Sequence, residues 1–531
     1  MASSTRDFVL EHGRPAALKS GSDVLKVVAD GASLNGDLSW ANGAPARTRR
    51  RSWLDTFDWR LYRAGLTLEQ IAGRDGPELL LTGRDGEVLA TGRLTGSGVP
   101  PWPALVSRLP AGPLRELIEP VAGIRALAPV ARATSRVTEF RALNADAKTV
   151  ARLAVDRMAV TFPARADAPP RLTLTPVRGY GRLTDRVGRA VAGVAGVAAS
   201  RGTALEAALA VTGRRAGELP GKAAAVELSA PMPAARALAA ILMAQLDSLE
   251  ANGPGTVRDI DTEFLHDLRI AVRWTRSALK LCGSVLPAGI SGEFRPQFRW
   301  LGDLTTPTRD LDVYLLEFDA MAAGLIGAAV SDLAPFRGYL ERSRAAEYRK
   351  LSRGLRSARF ARLTAEWRAA LGGVRGTRKR PTVAQLAAER IAAAQRRALR
   401  TGQRITAASP PASLHDLRKR CKELRYLVEM FGPLHDPAQR WQAVRELKAL
   451  QDCLGAFQDA EVQRTEIRMF AHRMLADRAV PAETLLAMGE VAAGLAGRQH
   501  AARAEFDSRF AAFASPASQA RLASLGRAGA A

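Results

Sequence analysis

Apolar residues are spaced in two different ways along the chain, and the change falls near residue 230. Before about residue 185 they form short runs bounded by Gly, Pro and Asp. The stretch ELLLTGRDGEVLATGRL, residues 78–94, reads as two strands joined at Arg84-Asp85-Gly86, a tight-turn sequence. RLAVDRMAVTF (152–162) and RLTLTPV (171–177) alternate in the same way and predict further strands. Two segments with a longer period, WPALVSRL (102–109) and GPLRELIEPV (112–121), predict helices. Residues 186–230 are rich in small residues and predict helical pieces in a linker. From 231 to 515 the apolar period is that of amphipathic helices, and the last dozen residues predict a frayed end. The expected architecture is α+β: a mainly antiparallel β domain over 1–185, a linker over 186–230, and an all-α domain over 231–515.

The helical part repeats itself. HDLRIAVRWTR at 266–276 and HDLRKRCKELR at 415–425 lie 149 positions apart, and the same interval carries Arg299 onto Lys448, Asp303 onto Asp452 and Asp310 onto Asp459. A register held without a gap over that span marks an internal duplication. On a helix, at about 100° per residue, His266, Arg269, Arg273, Arg276 and Lys280 fall within about 80° of arc. Leu268, Val272 and Leu279 supply the opposite flank. His415, Arg418, Lys422 and Arg425 take the same arc in the second copy, with Lys419 and Tyr426 beside it. Like charges at i, i+3 and i+4 destabilise an isolated helix. Each stripe therefore needs compensation, from carboxylates on neighbouring helices or from an anion. Two more single-sign rows, Arg342/Arg349/Arg353/Arg356 and Arg390/Arg397/Arg400/Arg404, keep similar spacing.

Charge extends this picture. With 77 Lys and Arg against 53 Asp and Glu, the formal net charge is +24, which calls for a polyanionic partner: nucleic acid, an acidic membrane surface or inorganic polyphosphate. Aromatic residues make up 6% and do not interleave with the basic positions, so stacking platforms for bases are poorly supplied. Guanidinium groups suit phosphate because they stay charged and bond bidentately; lysine adds a point charge and histidine a pH-dependent donor. Cys282, Cys421 and Cys453 lack zinc-ligand spacing and read as small core residues in a reducing compartment. The opening MASSTRDFVLEHG lacks a signal-peptide pattern, and the apolar stretch VGRAVAGVAGVAAS is too short to span a bilayer. A cytoplasmic protein is expected.

Four segments, FLHDLRIAVRWTRSALKL, RWLGDLTTPTRDLDVYL, LHDLRKRCKELRYLVEMF and LKALQDCLGAFQDAEV, occur in that order and resemble the CHAD family of helical domains over about 231–515. The resemblance implies two four-helix halves related by a pseudo-twofold axis, and a basic central cavity that binds inorganic polyphosphate. It also implies targeting to polyphosphate granules. Carried over by position, the binding residues are His266, Arg269, Arg273, Arg276 and Lys280, then His415, Arg418, Lys419, Lys422, Arg425 and Tyr426. Trp274 stands where the family usually has a second consecutive arginine, and an indole there can pack beside the stripe. No cofactor, metal ligand or catalytic residue is implied.

The recurring acids are expected to orient arginines or cap helices, because Thr305-Thr306-Pro307 is expected to break the helix between Asp303 and Asp310. Further upstream, WLDTFDWRLYRAGLTL (53–68) resembles a segment of the CYTH triphosphate-tunnel family, whose members often precede a CHAD domain. The chain departs from that family's charge pattern. DFVLEHGRPAALK (7–19) stands in place of a Glu-x-Glu-x-Lys opening, LTLEQIA puts Glu69 at a usually basic position, and RLTLTPVRGYG has threonines where acids are usual. Without clustered carboxylates a divalent cation has no oxygen cage, so a degenerate CYTH-like fold without triphosphatase activity is expected. Arg60 and Arg63 read as surface arginines. The leading expectation is non-catalytic polyphosphate binding. The alternatives are a basic nucleic-acid binder and a residual metal-dependent triphosphatase.

Overall fold

The computed structural model describes residues 5–10, 26, 28, 37–73, 76–94, 100–200, 202–219, 226–375, 381–477 and 480–525. The chain divides into two compact units, Met1–Pro220 and Gly221–Ala531. An α+β architecture results, with the β structure in the first unit and an all-helical second unit.

The first unit is one antiparallel sheet. In chain order its strands are β1 (Arg6–Leu10), β2 (Leu38–Asn42), β3 (Arg47–Thr56), β4 (Thr67–Ile71), β5 (Glu78–Thr82), β6 (Val88–Arg93), β7 (Ala104–Leu105), β8 (Ala126–Asn144), β9 (Thr149–Phe162), β10 (Ala166–Asp167), β11 (Arg171–Pro176) and β12 (Val197–Ala199). The order across the sheet is β12-β1-β11-β9-β8-β3-β4-β5-β6. The expected hairpin is β5–β6, and the two other expected strands are β9 and β11. The longest strand, β8, escapes the sequence pattern because arginines occupy its outward positions. Arg132, Arg136 and Arg141 are exposed while Ala131, Ala133 and Ala142 are buried.

Helix α1 (Arg60–Arg63) is a single turn, and α2 (Pro113–Ala122) is the expected helix, entered through proline at its first position. WPALVSRL is not an α-helix. Ala104 and Leu105 pair with Leu127 and Ala126 of β8, and only a 3-10 turn, Val106–Arg108, follows. Sheet pairing there overrides the local period. The helical pieces expected within 186–230 are present and pack into the first unit's cores. Helix α3 (Gly181–Ala192) buries Val187 and Val191, and α4 (Ala204–Ala210) buries Leu205 and Leu209 behind a Thr203/Glu206 capping box. Small residues there pack close to the sheet, and the first unit runs on to Pro220.

The second unit contains α5 (Ala234–Val257), α6 (Thr262–Cys282), α7 (Ile290–Ala322), α8 (Ala334–Leu355), α9 (Ala358–Gly372), α10 (Val383–Gln403), α11 (Pro411–Met430), α12 (Pro437–Ala476), α13 (Ala482–Ala514) and α14 (Pro516–Leu525). The 149-residue interval carries the starts of α5–α8 to within two residues of the starts of α10–α13. Each half is therefore four helices followed by one short helix. Local chemistry sets the boundaries. Asp261 accepts hydrogen bonds from the backbone of Glu263 and Phe264 to open α6, and Asp436 does the same for Ala438 and Gln439 to open α12. Leu268, Val272 and Leu279 of α6 join Leu417, Cys421 and Leu424 of α11 in one core. Burial pushes the Cys282 and Cys421 thiols up to about 12, as befits packed rather than reactive cysteines.

Helix α7 runs without interruption through Pro296 and Pro307, so the expected break at Thr305-Thr306-Pro307 does not occur. An interior proline costs about 3 kcal/mol. Against it, Phe294, Phe298, Leu301, Leu311, Tyr314 and Phe318 are all buried along this helix, each contributing roughly 1.5–3 kcal/mol. Packing wins. Among the described residues no helix is long and apolar enough to cross a membrane.

Candidate anion-binding site

Two adjoining clefts lie between α6 and α7 and share Arg273 and Arg276. The larger, about 850 Å³, is also lined by Lys280, Arg295, Arg299, Trp300, Asp303 and Leu304. The smaller, about 270 Å³, adds His266, Arg269, Thr305, Thr306 and Arg309. Together they present seven guanidinium or ammonium groups and one carboxylate, Asp303. Lys280 pairs with Glu423 of α11 at 2.7 Å, but Arg273, Arg276, Arg299 and Arg309 have no ion pair among the described residues.

Neutral oxygens position this charge. Arg269 donates to the hydroxyls of Thr306 at 2.7 Å and Thr305 at 3.2 Å, and those hydroxyls donate back to the carbonyls of Gly302 and Leu301. The motif expected to break α7 thus holds an arginine without neutralising it. Gly302 lets Arg276 lie across α7, since a Cβ there would overlap its guanidinium. Burial, with Arg309 nearby, holds His266 below its ordinary value and so disfavours its charged form.

The second stripe is placed differently. Arg418 meets Asp459 at 2.8 Å, Arg425 meets Glu429 at 3.2 Å and Gln451 at 3.0 Å, and His415 bonds Gln458 at 2.6 Å. Lys419 is exposed. Lys422 and Tyr426 turn toward the first half. Burial, with Arg418 and Arg273 nearby, pulls the Lys422 ammonium down to about 8. Tyr426 is buried with its ring edge-on to Trp274, centroids 5.5 Å apart. The indole at the departure from the family pattern therefore packs the two halves together.

A family model described as the CHAD domain matches residues 240–468. The chain carries a CHAD domain. Among solved structures, the CHAD domain from the plant Ricinus communis is 24% identical, with a TM-score of 0.47, over 55% of this chain and 96% of that one. PptA from Streptomyces chartreusis is 20% identical, with a TM-score of 0.40, over 52% of this chain and 99% of that one. No curated protein matches the chain.

Within the CHAD domain, the sequence reading missed Arg309 and Arg295 as lining residues. Arg309 follows proline-rich TTPT, which hid its place on a continuous α7, and its Nη1 is buried without a partner. Arg295 shares the face of Arg299 one turn earlier, a spacing that would have revealed it.

The first unit, an antiparallel β domain consistent with a CYTH-like tunnel, has its own cleft of about 660 Å³. Its chemistry differs. Arg51 bonds Glu69 through two contacts at 2.5 and 2.8 Å and Asp156 at 2.9 Å, while lying 4.7 Å over the Trp53 ring. Glu69, the acid at the usually basic position, is thus bonded to Arg51 within the unit itself. Arg60 is tied to Asp58 at 3.0 Å and to the Ala122 carbonyl at 2.8 Å. Among the described residues no three His, Cys, Asp or Glu side chains are grouped to hold a metal ion.

Proposed function

We propose that the CHAD domain binds inorganic polyphosphate in the α6–α7 clefts without transforming it, as part of a cytoplasmic protein that associates with polyphosphate granules. One observation carries this reading: seven cations and one carboxylate line two adjoining clefts, Lys280 alone of the seven has an ion pair among the described residues, and the oxygens that order Arg269 are neutral. Such a surface is compensated by an external polyanion whose phosphate oxygens accept charge-assisted bonds, about 1.5–3 kcal/mol each before ordering costs. Nine of the eleven residues named from the sequence divide accordingly, and the exposed Lys419 and the buried Tyr426 fall in neither group. The first-half stripe and Lys422 contact the chain, while Arg418, Arg425 and His415 brace the domain. The first unit is proposed to be catalytically inactive, because its central arginine is already saturated.

Titration with long-chain polyphosphate tests the reading. Replacing Arg269, Arg273, Arg418 and Lys422 together by Ala is expected to abolish binding, and wild-type affinity should fall steeply with salt. Unchanged affinity in that variant refutes the site. Displacement of polyphosphate by duplex or single-stranded DNA at equal charge concentration would favour a nucleic-acid partner. Metal-dependent phosphate release from tripolyphosphate by the full chain would overturn the inactive first unit.

A further inference from the structure

We propose that the cleft continues into a second contact track on the outer face of α8, where Arg356, Arg353, Arg349 and Arg342 hold a long polyanion after it passes Trp300 and Arg359. The inference rests on the polyphosphate reading of the cleft and adds to it a path and a dependence on chain length.

Three observations carry it. The first is selective pairing on one helix. Arg337 pairs with Asp319 and Glu341, Arg344 with Asp259 and Asp312, and Lys350 with Glu347. Arg342, Arg349, Arg353 and the capping Arg356 are exposed and have no ion pair among the described residues. They lie within about 60° of arc and extend over roughly 21 Å. The second is continuity. Gly354 packs directly on Leu304, a wall of the large cleft, so α8 lies against that wall and the arginine row runs along its side away from this contact. Just beyond, Arg359 stacks over Trp300 at 4.1 Å and bonds Gln297 at 3.3 Å, placing another guanidinium on the cleft wall. The third is asymmetry. The repeat interval maps the four arginines onto Val491, Arg498, Ala502 and Glu505, so duplication of the fold does not require the row. At this repeat position the row exists only in the half that holds the α6–α7 clefts.

The test compares ligands of two lengths. Tripolyphosphate fits within the clefts, whereas long-chain polyphosphate also reaches α8. Changing Arg342, Arg349, Arg353 and Arg356 to Ala is expected to weaken long-chain binding about tenfold. The slope of log affinity against log salt should flatten by ~3 for the long chain. Tripolyphosphate binding should not change. An unaltered long-chain affinity and salt slope would overturn the track, as would equal losses for both ligands. Failure of the wild-type protein to bind either ligand would instead remove the polyphosphate reading, and the track with it.

Discussion

The two halves of the helical unit share a register but not an electrostatic solution. At the position of Gly302, which leaves room for Arg276, the second half has Gln451, which bonds Arg425 and also donates to the Cys421 carbonyl at 2.6 Å. Where Thr305 and Thr306 cradle Arg269, the second half has Leu454 and Gly455, and Arg418 turns to Asp459 instead. Arg309 is replaced by Gln458, which holds His415. Arg299 faces the cleft, while its counterpart Lys448 pairs with Asp452 at 2.6 Å. The duplicated cations thus have two fates. With neutral acceptors they remain available to an outside anion; with carboxylates they become internal bracing. The doubled motif alone does not make two equal walls.

The largest effect should come from reversing charge in one half at a time. Arg273→Glu with Arg276→Glu removes two charge-assisted contacts, about 1.5–3 kcal/mol each, and should weaken polyphosphate binding about a hundredfold or more. Little change in thermal stability is expected, because neither residue has an ion pair to lose. Arg418→Glu with Arg425→Glu places new carboxylates against Asp459 and Glu429. That pair should lower the melting temperature clearly and weaken binding by only about tenfold. Calorimetric titration beside thermal denaturation reads both. Equal binding losses at unchanged stability would erase the distinction between the halves.

Much of this arrangement was legible in the sequence, for definite reasons. The helical period, the repeat interval and the cationic arc all follow from spacing, and spacing survives folding. Strand periodicity also sufficed for β5, β6, β9 and β11, but arginines on the outer face of β8 masked its alternation. Partner identity was not legible. No pattern within HDLRKRCKELR says that Asp459 reaches Arg418, since that pairing depends on how α12 crosses α11. Pro307 misled because local propensity was weighed without the burial of α7, which outweighs it. Residues 186–219 were legible as helical pieces but not as part of the first unit's packing. Small residues suggest a linker, yet Val187, Val191, Leu205 and Leu209 close the first unit's cores.

An intermediate effect should follow from exchanging the residue that most plainly separates the halves. Gly302→Gln installs the second half's side chain in the first, and its Cβ overlaps the Arg276 guanidinium. Because that group is the far end of a flexible chain, it should swing away and leave the fold intact. Losing one such contact should weaken polyphosphate binding roughly tenfold or more. The reciprocal Gln451→Gly loses two hydrogen bonds and puts glycine inside a helix, costing about 2–3 kcal/mol of stability with affinity nearly unchanged. If Gly302→Gln bound as well as wild type, Arg276 would not be a ligand-facing residue.

The smallest effect concerns Lys422, a second-half cation that lies near Arg273 of the first-half stripe. Its ammonium, drawn down to about 8 by burial and by Arg418 and Arg273, is charged below that pH and increasingly neutral above it. Unfolding returns the group to its ordinary value of 10.5, so the unfolded chain binds more protons between pH 8 and 10.5. Stability from this group therefore rises with pH across that window, and the full penalty applies below it. Ligand binding has the opposite sign. A polyanion favours the ammonium, so binding above about pH 8 takes up a proton, and affinity should fall by at most ~10-fold per pH unit. Below that pH this group should leave affinity flat. Calorimetry at about pH 9 in buffers of different ionisation enthalpy counts the proton directly, and Lys422→Met should remove both the uptake and the slope. Wild-type binding without proton uptake there would place Lys422 among the bracing residues, and the boundary between the two kinds of cation would then fall wholly between the repeats.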